Sequence, residues 1–515
     1  MAELTQYAAL PLDRAVVVIG AGTMGSGIAE VAAVAGHRVY LRDTSAAALD
    51  RGVDQIKRSL DKRVQRGRLD PGERDAILAR LLPVDTQAKL EGVGLAIEVI
   101  VENLEVKVAV LADLEAQLDP DTIIATNTSS LSVTAIAGRL ARPEKVVGMH
   151  FFNPATVLPL VEVVSGAATL PEVTQIVFAT AAAWGKTPVL CRSTPGFIVN
   201  RVARPFYGEA LRLLQEQAAA PATLDAVMRE CGGFKMGPCE LMDLIGHDVN
   251  FAVTRSVYEG FFDDPRYKPS LIQKELVDAG WLGRKSGRGF FDYADGAAPP
   301  VADDATARAV APATIRIEGD LGPASSLVDL LMRQDRASVE QTSGCGLLRV
   351  DGVALALSDG RSATERSLEF GEPVVLFDLA LDYAACSRVA LAAPLQAAGD
   401  HLARAIGLFV LLGKKVSVIA DVPGLAVTRT VAMLVNETAD VIYQGIATSD
   451  DADAAMCKGV NYPVGPMAWG RKIGLGHVAA VLHHLTDAYG EDRYRISPWL
   501  RRAVQAAQPI GATHG

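Results

Sequence analysis

A histidine and a glutamate twelve residues apart could together form a general base. His150 follows a short apolar run, in the segment GMHFFNP, and Glu162 is the single acid of the apolar run LVEVV. If both runs are strands, Glu162 shares a face with Leu160 and Val164, where a buried carboxylate needs a partner. A carboxylate that accepts from one imidazole nitrogen fixes the tautomer and leaves the other nitrogen to take a proton. A core histidine near an unrelated surface glutamate is the alternative interpretation.

A glycine-rich turn near the N-terminus predicts a dinucleotide-binding element. A β-branched run over residues 14–19 leads into the sequence GAGTMG and then into an alanine-rich helical pattern that ends at Gly36. Strand, G-x-G-x-x-G turn and helix are the context that the dinucleotide fingerprint requires, because the glycines admit the pyrophosphate and the helix N-terminus binds it. The predicted cofactor-binding residues of the turn are Gly20, Ala21, Gly22, Thr23, Met24 and Gly25. A βα turn without a ligand is the alternative.

The next predicted strand, residues 37–43, ends in Asp43, where the fingerprint places the acid that accepts from a ribose 2′-hydroxyl. A carboxylate there repels a 2′-phosphate, so the sequence predicts NAD rather than NADP. Arg42, its neighbour, is the one residue that favours NADP.

Two further polar residues occupy positions where they could contact a substrate. Ser129 belongs to a hydroxyl-rich segment that follows a predicted strand over residues 122–126, at the sheet edge expected for His150. Serine also favours helix N-caps, and a cap of the next helix is the simpler interpretation of Ser129 alone. Asn200 stands early in an apolar helical pattern, where an amide needs either a partner in a neighbouring helix or a function.

Composition excludes several classes of function. The 515 residues are too many for one core, and the net charge of -10 is spread without acidic or basic blocks, which argues against nucleic acid as a partner. The six cysteines lack metal-ligand spacing, so we predict no metal site. No basic, apolar leader and no apolar run long enough to cross a membrane occurs, so we expect a soluble cytoplasmic protein without a membrane partner.

From its N-terminus to about Tyr293 the chain resembles the short-chain L-3-hydroxyacyl-CoA dehydrogenases, including the bacterial 3-hydroxybutyryl-CoA enzymes. Six motifs carry the resemblance in the family's order and spacing: GAGTMG, VENLEVK, NTSSLS, GMHFFNP, PGFIVNR and GWLGRKSGRGFFDY. The resemblance implies oxidation of an (S)-3-hydroxyacyl-CoA to the 3-oxoacyl-CoA with NAD as hydride acceptor. It makes His150 the general base and Glu162 its orienting partner, and it assigns the oxygen functions of the substrate to Ser129 and Asn200.

By the same resemblance, four residues lie around the cofactor: Glu102, Lys107, Asn153 and Lys285. Ser59, in a charged segment over residues 44–90 that we interpret as a helical hairpin, matches a residue that contacts coenzyme A. Helical patterns then continue from residue 193 to about Tyr293.

The second half of the chain repeats part of the first. Residues 412–429 align with residues 184–201, and one offset of 228 positions relates Gly196 to Gly424 and Glu209 to Glu437. The copy replaces Asn200 by Thr428 and Asp243 by Arg471, so we expect structure without catalysis there. Between linker and copy, residues 314–323 resemble a strand and glycine turn, and residues 353–359 resemble a second strand that ends in an acid. We predict a degenerate nucleotide fold that does not bind NAD; a second working cofactor site is the alternative.

The predicted fold is therefore an α/β Rossmann domain followed by an all-α domain, then a degenerate Rossmann-like segment and a second copy of the helical domain. The boundaries are residues 1–193 for the NAD-binding domain, 194–293 for the first helical domain, 294–313 for a linker, 314–410 for the shortened Rossmann-like domain, and 411–505 for a non-catalytic helical repeat that caps the first.

Two-repeat dehydrogenases of this size resemble those of phenylacetate-type degradation, for which the substrate would be 3-hydroxyadipyl-CoA; 3-hydroxybutyryl-CoA is the other acyl-CoA candidate. A distal carboxylate would need a cation, for which Arg204, Arg284 and Arg288 are candidates. Two other functions stay open: a dehydrogenase of a free hydroxy acid or sugar acid, and a non-catalytic structural or binding protein on this fold. Assembly into a homo-oligomer also stays open.

Overall fold

A computed structural model describes residues 7–507, which form two compact units. The first unit runs to Arg201 and also contains Gln444–Val460, a segment from the second helical copy. The second unit comprises Val202–Tyr443 and resumes at Asn461. The units cut across the domain boundaries expected from the sequence, because part of the second repeat packs with the first sheet.

The strands are β1 (Ala15–Ile19), β2 (Val39–Arg42), β3 (Leu81–Val84), β4 (Val93–Glu98), β5 (Ile123–Thr126), β6 (Val146–Phe151), β7 (Leu160–Ser165), β8 (Thr187–Arg192), β9 (Thr314–Glu318), β10 (Ser338–Thr342), β11 (Leu347–Val350), β12 (Val353–Leu357), β13 (Val374–Phe377), β14 (Arg388–Ala392) and β15 (Lys415–Val418). The helices are α1 (Thr23–Val34), α2 (Ala46–Gln65), α3 (Pro71–Ala79), α4 (Leu104–Gln117), α5 (Val133–Ala137), α6 (Pro171–Ala183), α7 (Val199–Val202), α8 (Arg204–Gln215), α9 (Pro221–Glu230), α10 (Pro238–Ile245), α11 (His247–Gly260), α12 (Leu271–Asp278), α13 (Ser326–Met332), α14 (Ala363–Phe370), α15 (His401–Leu411), α16 (Val427–Tyr443), α17 (Ser449–Gly459), α18 (Pro466–Ile473), α19 (Leu475–Tyr489) and α20 (Pro498–Ala506).

The first unit is built on a sheet of eight strands in the order β3-β2-β1-β4-β5-β6-β7-β8. Its neighbours run parallel except β6 and β7, which are antiparallel and bring His150 opposite Glu162. The central strands β1, β4, β5 and β6 are buried along their whole length, as expected of a parallel sheet covered on both faces. This arrangement confirms the predicted Rossmann fold.

Two strands of this sheet, β3 and β8, were not predicted from the sequence. Residues 44–90 contain α2 and α3, as the helical interpretation required, but they end in the strand β3. β3 is one of the two edge strands and carries Pro83; proline has no N–H to donate to a neighbouring strand, so within sheets it is confined largely to edges. A four-residue edge strand interrupted by proline lacks the apolar alternation that identifies inner strands.

The second unit contains a reduced sheet in the order β10-β9-β11-β12-β13-β14-β15. The expected second strand, residues 353–359, is β12, but the antiparallel strand β11 separates it from β9. Asp359, the acid that follows β12, accepts from Arg361 and lies 3.4 Å from Arg366. After β9 the chain makes a short 3-10 turn over Gly322–Ala324, in which Pro323 takes the place of a helix-opening residue.

The two helical copies pair within the second unit through reciprocal buried contacts. Glu209 in α8 accepts from Arg493 Nε at 3.1 Å and from the Tyr494 hydroxyl at 2.9 Å. Glu437, 228 positions later in α16, accepts from Arg266 Nη1 at 3.2 Å and from the Tyr267 hydroxyl at 2.6 Å. Each copy thus supplies an Arg-Tyr pair to the buried glutamate of the other. The second copy covers the first helical domain, as the sequence hypothesis expected.

The helical pattern of the first copy ends at Asp278, earlier than the expected Tyr293. The following turns are organised by Asp243, which is fully buried and accepts from the N–H groups of Phe290 and Phe291 and from the hydroxyl of Tyr293. Asp243 also lies 2.7 Å from His247 Nε2. Arg471 stands in place of this carboxylate in the second copy, which therefore lacks this anchor.

Candidate active site

His150 and Glu162 form a buried hydrogen-bonded pair in the first unit. His150 Nδ1 lies 2.7 Å from Glu162 Oε2, and because a carboxylate only accepts, Nδ1 carries the proton. The second oxygen, Oε1, accepts from the backbone N–H groups of Ile198 and Val199 at 3.0 and 2.9 Å. Glu162 has no exposed surface, so these three bonds satisfy a charge that would otherwise be costly to bury. The arrangement orients the ring and leaves Nε2 to accept a proton.

The backbone around His150 fixes the position of this ring. His150 lies at the exit of β6, one residue before the strand ends. The next residue, Phe151, donates its N–H to Asn127 Oδ1 at 2.8 Å, which joins the exit of β5 to that of β6. The rings of Phe152 and Phe197 lie 4.5 and 5.9 Å from the imidazole. Asn127 is the first residue of the motif NTSSLS, but it was not predicted as a site residue. Its position directly after a strand could have identified it.

Ser129 and Asn200 lie beside each other. Asn200 Nδ2 donates to the carbonyl oxygen of Ser129 at 3.4 Å. The interpretation of Ser129 as an N-cap was wrong, because the helix that follows, α5, is capped by the side chain of Ser132. The acceptor of this bond lies in the segment after β5. Their roles toward a substrate stay a prediction.

Glu102 organises the segment that contains Ser129. Its Oε1 accepts from the hydroxyl of Thr128 at 2.6 Å and from the N–H groups of Ser129 and Ser130 at 2.9 and 3.0 Å. Burial raises the pKa of Glu102. The hydrogen bonds and the Lys107 ammonium lower this pKa by more than burial raises it, so the net shift is downward. Glu102 is thereby held as the charged acceptor of this segment.

Lys107 acts on the site through carboxylates. Its side chain is 1% exposed, and Nζ lies 2.7 Å from Glu98 and 3.2 Å from Glu102. Glu98, at the end of β4, also accepts from the Thr126 hydroxyl at 2.6 Å. Glu98 was missed from the sequence, although an acid within an otherwise apolar strand was a signal for it. A lysine so enclosed can serve a cofactor by holding Glu102 in place.

The glycine turn fits a dinucleotide. An added Cβ at Gly25 would lie 1.8 Å from the Gly20 carbonyl oxygen, so α1 can approach β1 this closely only with glycine there. An added Cβ at Gly22 would meet nothing of the protein within 4 Å, which leaves the space over the turn open to a ligand. Gly20 has a φ of 107°, which favours glycine. The turn therefore retains the geometry that binds a pyrophosphate.

Asp43 and Arg42 explain the preference between NAD and NADP. Asp43 Oδ2 accepts from the Ala21 N–H at 2.8 Å, which fixes the carboxylate beside the turn. Arg42 is buried, and its guanidinium donates to Gln117 and to the carbonyl oxygen of Thr86. Arg42 is thus directed away from the position of a 2′-phosphate, in agreement with NAD.

Ser59, Asn153 and Lys285 are the remaining residues predicted for the site. Ser59, in α2, donates to Glu30 at 2.9 Å and lines a cavity of about 750 Å³ in the first unit. Asn153 is exposed just after β6, before Pro154. Lys285 belongs to the second unit, where it pairs with Asp248 at 2.5 Å.

The structure shows two further absences within residues 7–507. No three His, Cys, Asp or Glu side chains come together in a way that could hold a metal ion. None of the helices over the same residues is both long and apolar enough to cross a bilayer.

Comparison with known families follows the repeat structure. A model of the 3-hydroxyacyl-CoA dehydrogenase NAD-binding domain matches residues 15–194, and the model of the family's C-terminal domain matches twice, over residues 196–293 and 424–514. The 3-hydroxybutyryl-CoA dehydrogenase reduced Rossmann-fold domain matches residues 355–423. The duplication and the shortened second nucleotide fold are therefore confirmed.

Several known proteins are similar to the chain. The 3-hydroxyadipyl-CoA dehydrogenase of Escherichia coli K12 is 45% identical over 489 residues, covering 95% of this chain and 97% of the relative. The crystal structure of 3-hydroxybutyryl-CoA dehydrogenase from E. coli K12 superposes with a TM-score of 0.87 at 43% identity, over 96% of this chain and 99% of that one. The (S)-3-hydroxybutyryl-CoA dehydrogenase PaaH1 of Ralstonia eutropha matches 55% of this chain and 99% of its own, with a TM-score of 0.53 and 38% identity.

Family models cover both repeats, and a relative above 40% identity spans nearly the whole chain. The glycine turn fits NAD, and the buried His-Glu pair provides the one proton acceptor that a dehydrogenase of this kind needs. The chain belongs to the 3-hydroxyacyl-CoA dehydrogenase family, as an NAD-dependent oxidoreductase.

Proposed function

We propose that the chain oxidises (S)-3-hydroxyadipyl-CoA to 3-oxoadipyl-CoA, with His150 as general base. The observation that carries the reaction is the bond between His150 Nδ1 and Glu162, because it sets the tautomer that a base at Nε2 requires. The dicarboxylic substrate is supported by the 45% identity, across both repeats, to a protein named for it.

The residues of the chain account for the proton of this reaction. When bound, NAD accepts the hydride that leaves C3. Nε2 of His150 takes the proton of the C3 hydroxyl as the C3 carbonyl forms, and the carboxylate of Glu162 stabilises the resulting imidazolium. Ser129 and Asn200 are proposed to hydrogen-bond the oxygen atoms of the substrate, which keeps C3 in register with the base.

The coenzyme A portion is proposed to bind at α2. Six cationic side chains line the cavity beside Ser59: Arg58, Lys62, Arg63, Arg66, Arg68 and Lys186. Glu30 is the one acid among its lining residues, and burial raises the pKa of that carboxyl. Cations in excess over acids attract the phosphates of coenzyme A, and arginines can bind them through two donors. A free hydroxy acid would make no use of this surface, so the cavity favours a CoA ester over the free-acid alternative.

3-Hydroxybutyryl-CoA is the second candidate substrate, because the structure with a TM-score of 0.87 is named for that ester. The two are separated by kcat/KM for 3-oxoadipyl-CoA and acetoacetyl-CoA, followed by the loss of NADH absorbance. A higher value for the dicarboxylic ester supports the proposal and a role in phenylacetate-type degradation. A higher value for acetoacetyl-CoA replaces it with a short-chain role, and turnover of free hydroxy acids alone would refute both. We also propose a cytoplasmic location, and leave association into a homo-oligomer to be measured in solution.

A further inference from the structure

The first unit contains a helix that comes from the second repeat. α17 packs against β7 and β8, the last two strands of the first sheet. The Arg192 N–H at the end of β8 donates to the Ile446 carbonyl oxygen at 3.0 Å, and Arg201 Nη1 donates to Gln444 Oε1 at 2.8 Å. The apolar face of the helix is buried through Ala452, Ala455, Met456 and Gly459. The sheet that carries Glu162 is therefore completed by a segment some 280 residues further along the chain.

The same packing of a helix from one repeat against the sheet of the other occurs in both directions. Within the second unit, the Ala420 N–H donates to the Ala218 carbonyl oxygen at 2.8 Å, and α9 packs against β14. Ala420 and Ala218 stand 228 positions from Arg192 and Ile446 respectively, so the same contact is made in both directions. An equivalent contact conserved between two copies that have otherwise diverged indicates that α17 has a defined place in the first unit.

Gly459 packs tightly against β7, the strand that carries Glu162. An added Cβ at Gly459 would lie 2.5 Å from Leu160 Cδ2 and 3.3 Å from Val199 Cγ2. Gly459 is the last residue of the helix and has no positive φ, so its conformation would admit a side chain. Only the neighbouring side chains exclude one.

Both neighbours of Gly459 support Glu162. Leu160 lies two residues before Glu162 on β7, so the two side chains share a face of the strand. Val199 donates its N–H to Glu162 Oε1 at 2.9 Å. Pressure on Leu160 and Val199 would displace the carboxylate that holds His150.

We propose that Gly459, and with it α17, is a positioning element for the His150–Glu162 pair, so that the second repeat helps to set the geometry of this pair. The proposal rests on the roles proposed above for His150 and Glu162. The proposal gives the non-catalytic second repeat a specific role: α17 supports the strand whose glutamate fixes the tautomer of the base.

The test is a double-mutant cycle in the full-length chain. Gly459→Val should lower kcat by about tenfold or more, because displacements near 1 Å cost up to about 10²-fold, while KM for acetoacetyl-CoA and the Kd for NADH change less than twofold. In a Glu162→Gln background the same substitution should have no further effect on kcat, since the contact that it disturbs is already lost. Gly476→Ala is the matched control, because Gly476 is also helical and an added Cβ there would meet nothing within 4 Å.

Size compensation provides a second readout. Leu160→Val removes the atom nearest to the new side chain, so Gly459→Ala combined with Leu160→Val should regain kcat relative to Gly459→Ala alone. An equal loss of kcat from Gly459→Val in the unmodified chain and in the Glu162→Gln chain would show a general structural effect and overturn the proposal. Full activity of Gly459→Val in the unmodified chain would overturn it as well. Full activity of Glu162→Gln would instead refute the role proposed for Glu162, so the two failures are distinguishable.

Discussion

Replacing Glu162 by glutamine tests how the buried carboxylate controls the base. The two oxygens of Glu162 have different donors: Oε1 accepts from two backbone N–H groups, and Oε2 faces His150. A glutamine has one acceptor oxygen and one donor NH₂. If its NH₂ faced Ile198 and Val199, two buried N–H groups would lose their acceptor, at a cost of about 1–3 kcal/mol each. The amide is therefore forced to turn its NH₂ toward His150.

That orientation inverts the tautomer. An NH₂ group beside Nδ1 favours the ring form in which Nδ1 accepts and Nε2 carries the proton, so Nε2 cannot act as a base. We expect kcat to fall by about 10²–10⁴-fold, the contribution of a positioned general base, comparable to the about 10⁴-fold loss when a triad aspartate becomes asparagine. The assay is NADH oxidation with acetoacetyl-CoA, and the Kd for NADH should be unchanged.

Glu115→Gln is the matched control for this substitution. Glu115 is also a buried glutamate of the first unit, and it accepts from the N–H groups of Ala141 and Arg142 at 2.8 Å each. Its substitution should lower the melting temperature without a selective loss of kcat. If Glu162→Gln retained full kcat, or lost no more than Glu115→Gln, the reasoning about the tautomer would be refuted.

Three further predictions concern the cofactor turn, the coenzyme A surface and the contact between repeats. Gly25→Ala should abolish NADH binding, because its Cβ would meet the Gly20 carbonyl oxygen at 1.8 Å; Gly27→Ala, with 3.3 Å to its nearest neighbour, should retain binding in a fluorescence titration. Arg63→Ala should raise KM for the CoA ester about tenfold through loss of a cation near the phosphates, with the Kd for NADH unaltered; an unchanged KM would place coenzyme A elsewhere. Burial would raise the pKa of Glu209, but nearby arginines, led by Arg493, hold it below its usual value, so its stabilising effect is present above about pH 4.3 and is lost as the pH falls further. Glu209→Gln should therefore destabilise the chain by about 3 kcal/mol at pH 7, and the difference in unfolding free energy should shrink below pH 4.3; a constant difference would contradict this.

Local patterns were enough to predict the inner strands of the first sheet and the His150 pair. The glycine turn follows β1 directly. Side chains alternate between the two faces along β7, which places Glu162 on the same face as Leu160 and Val164. Antiparallel pairing of β6 with β7 then brings Glu162 opposite His150. The repeat was equally clear, because a constant offset of 228 positions is a property of the sequence alone.

The rest depended on contacts that local patterns do not encode. β3 lacks apolar alternation, and its pairing with β2 is what makes it a strand. Ser129 and Ser132 are both plausible caps by residue type, and only the backbone course selects Ser132. The insertion of β11 between β9 and β12 separated two strands that looked consecutive. The packing of α17 in the first unit is a contact between segments that are distant in the sequence. The alignment of the repeats shows that they are related but not which segments pack together.

The role proposed for His150, as the base of an NAD-dependent 3-hydroxyacyl-CoA dehydrogenase, can be tested by a single substitution. The most direct measurement is kcat of His150→Gln beside the unmodified chain, with acetoacetyl-CoA and NADH, together with the Kd for NADH. We expect rapid oxidation of NADH by the unmodified chain, and a kcat lower by about 10²–10⁴-fold in the variant, with cofactor binding intact. An equal kcat in the two proteins would contradict it.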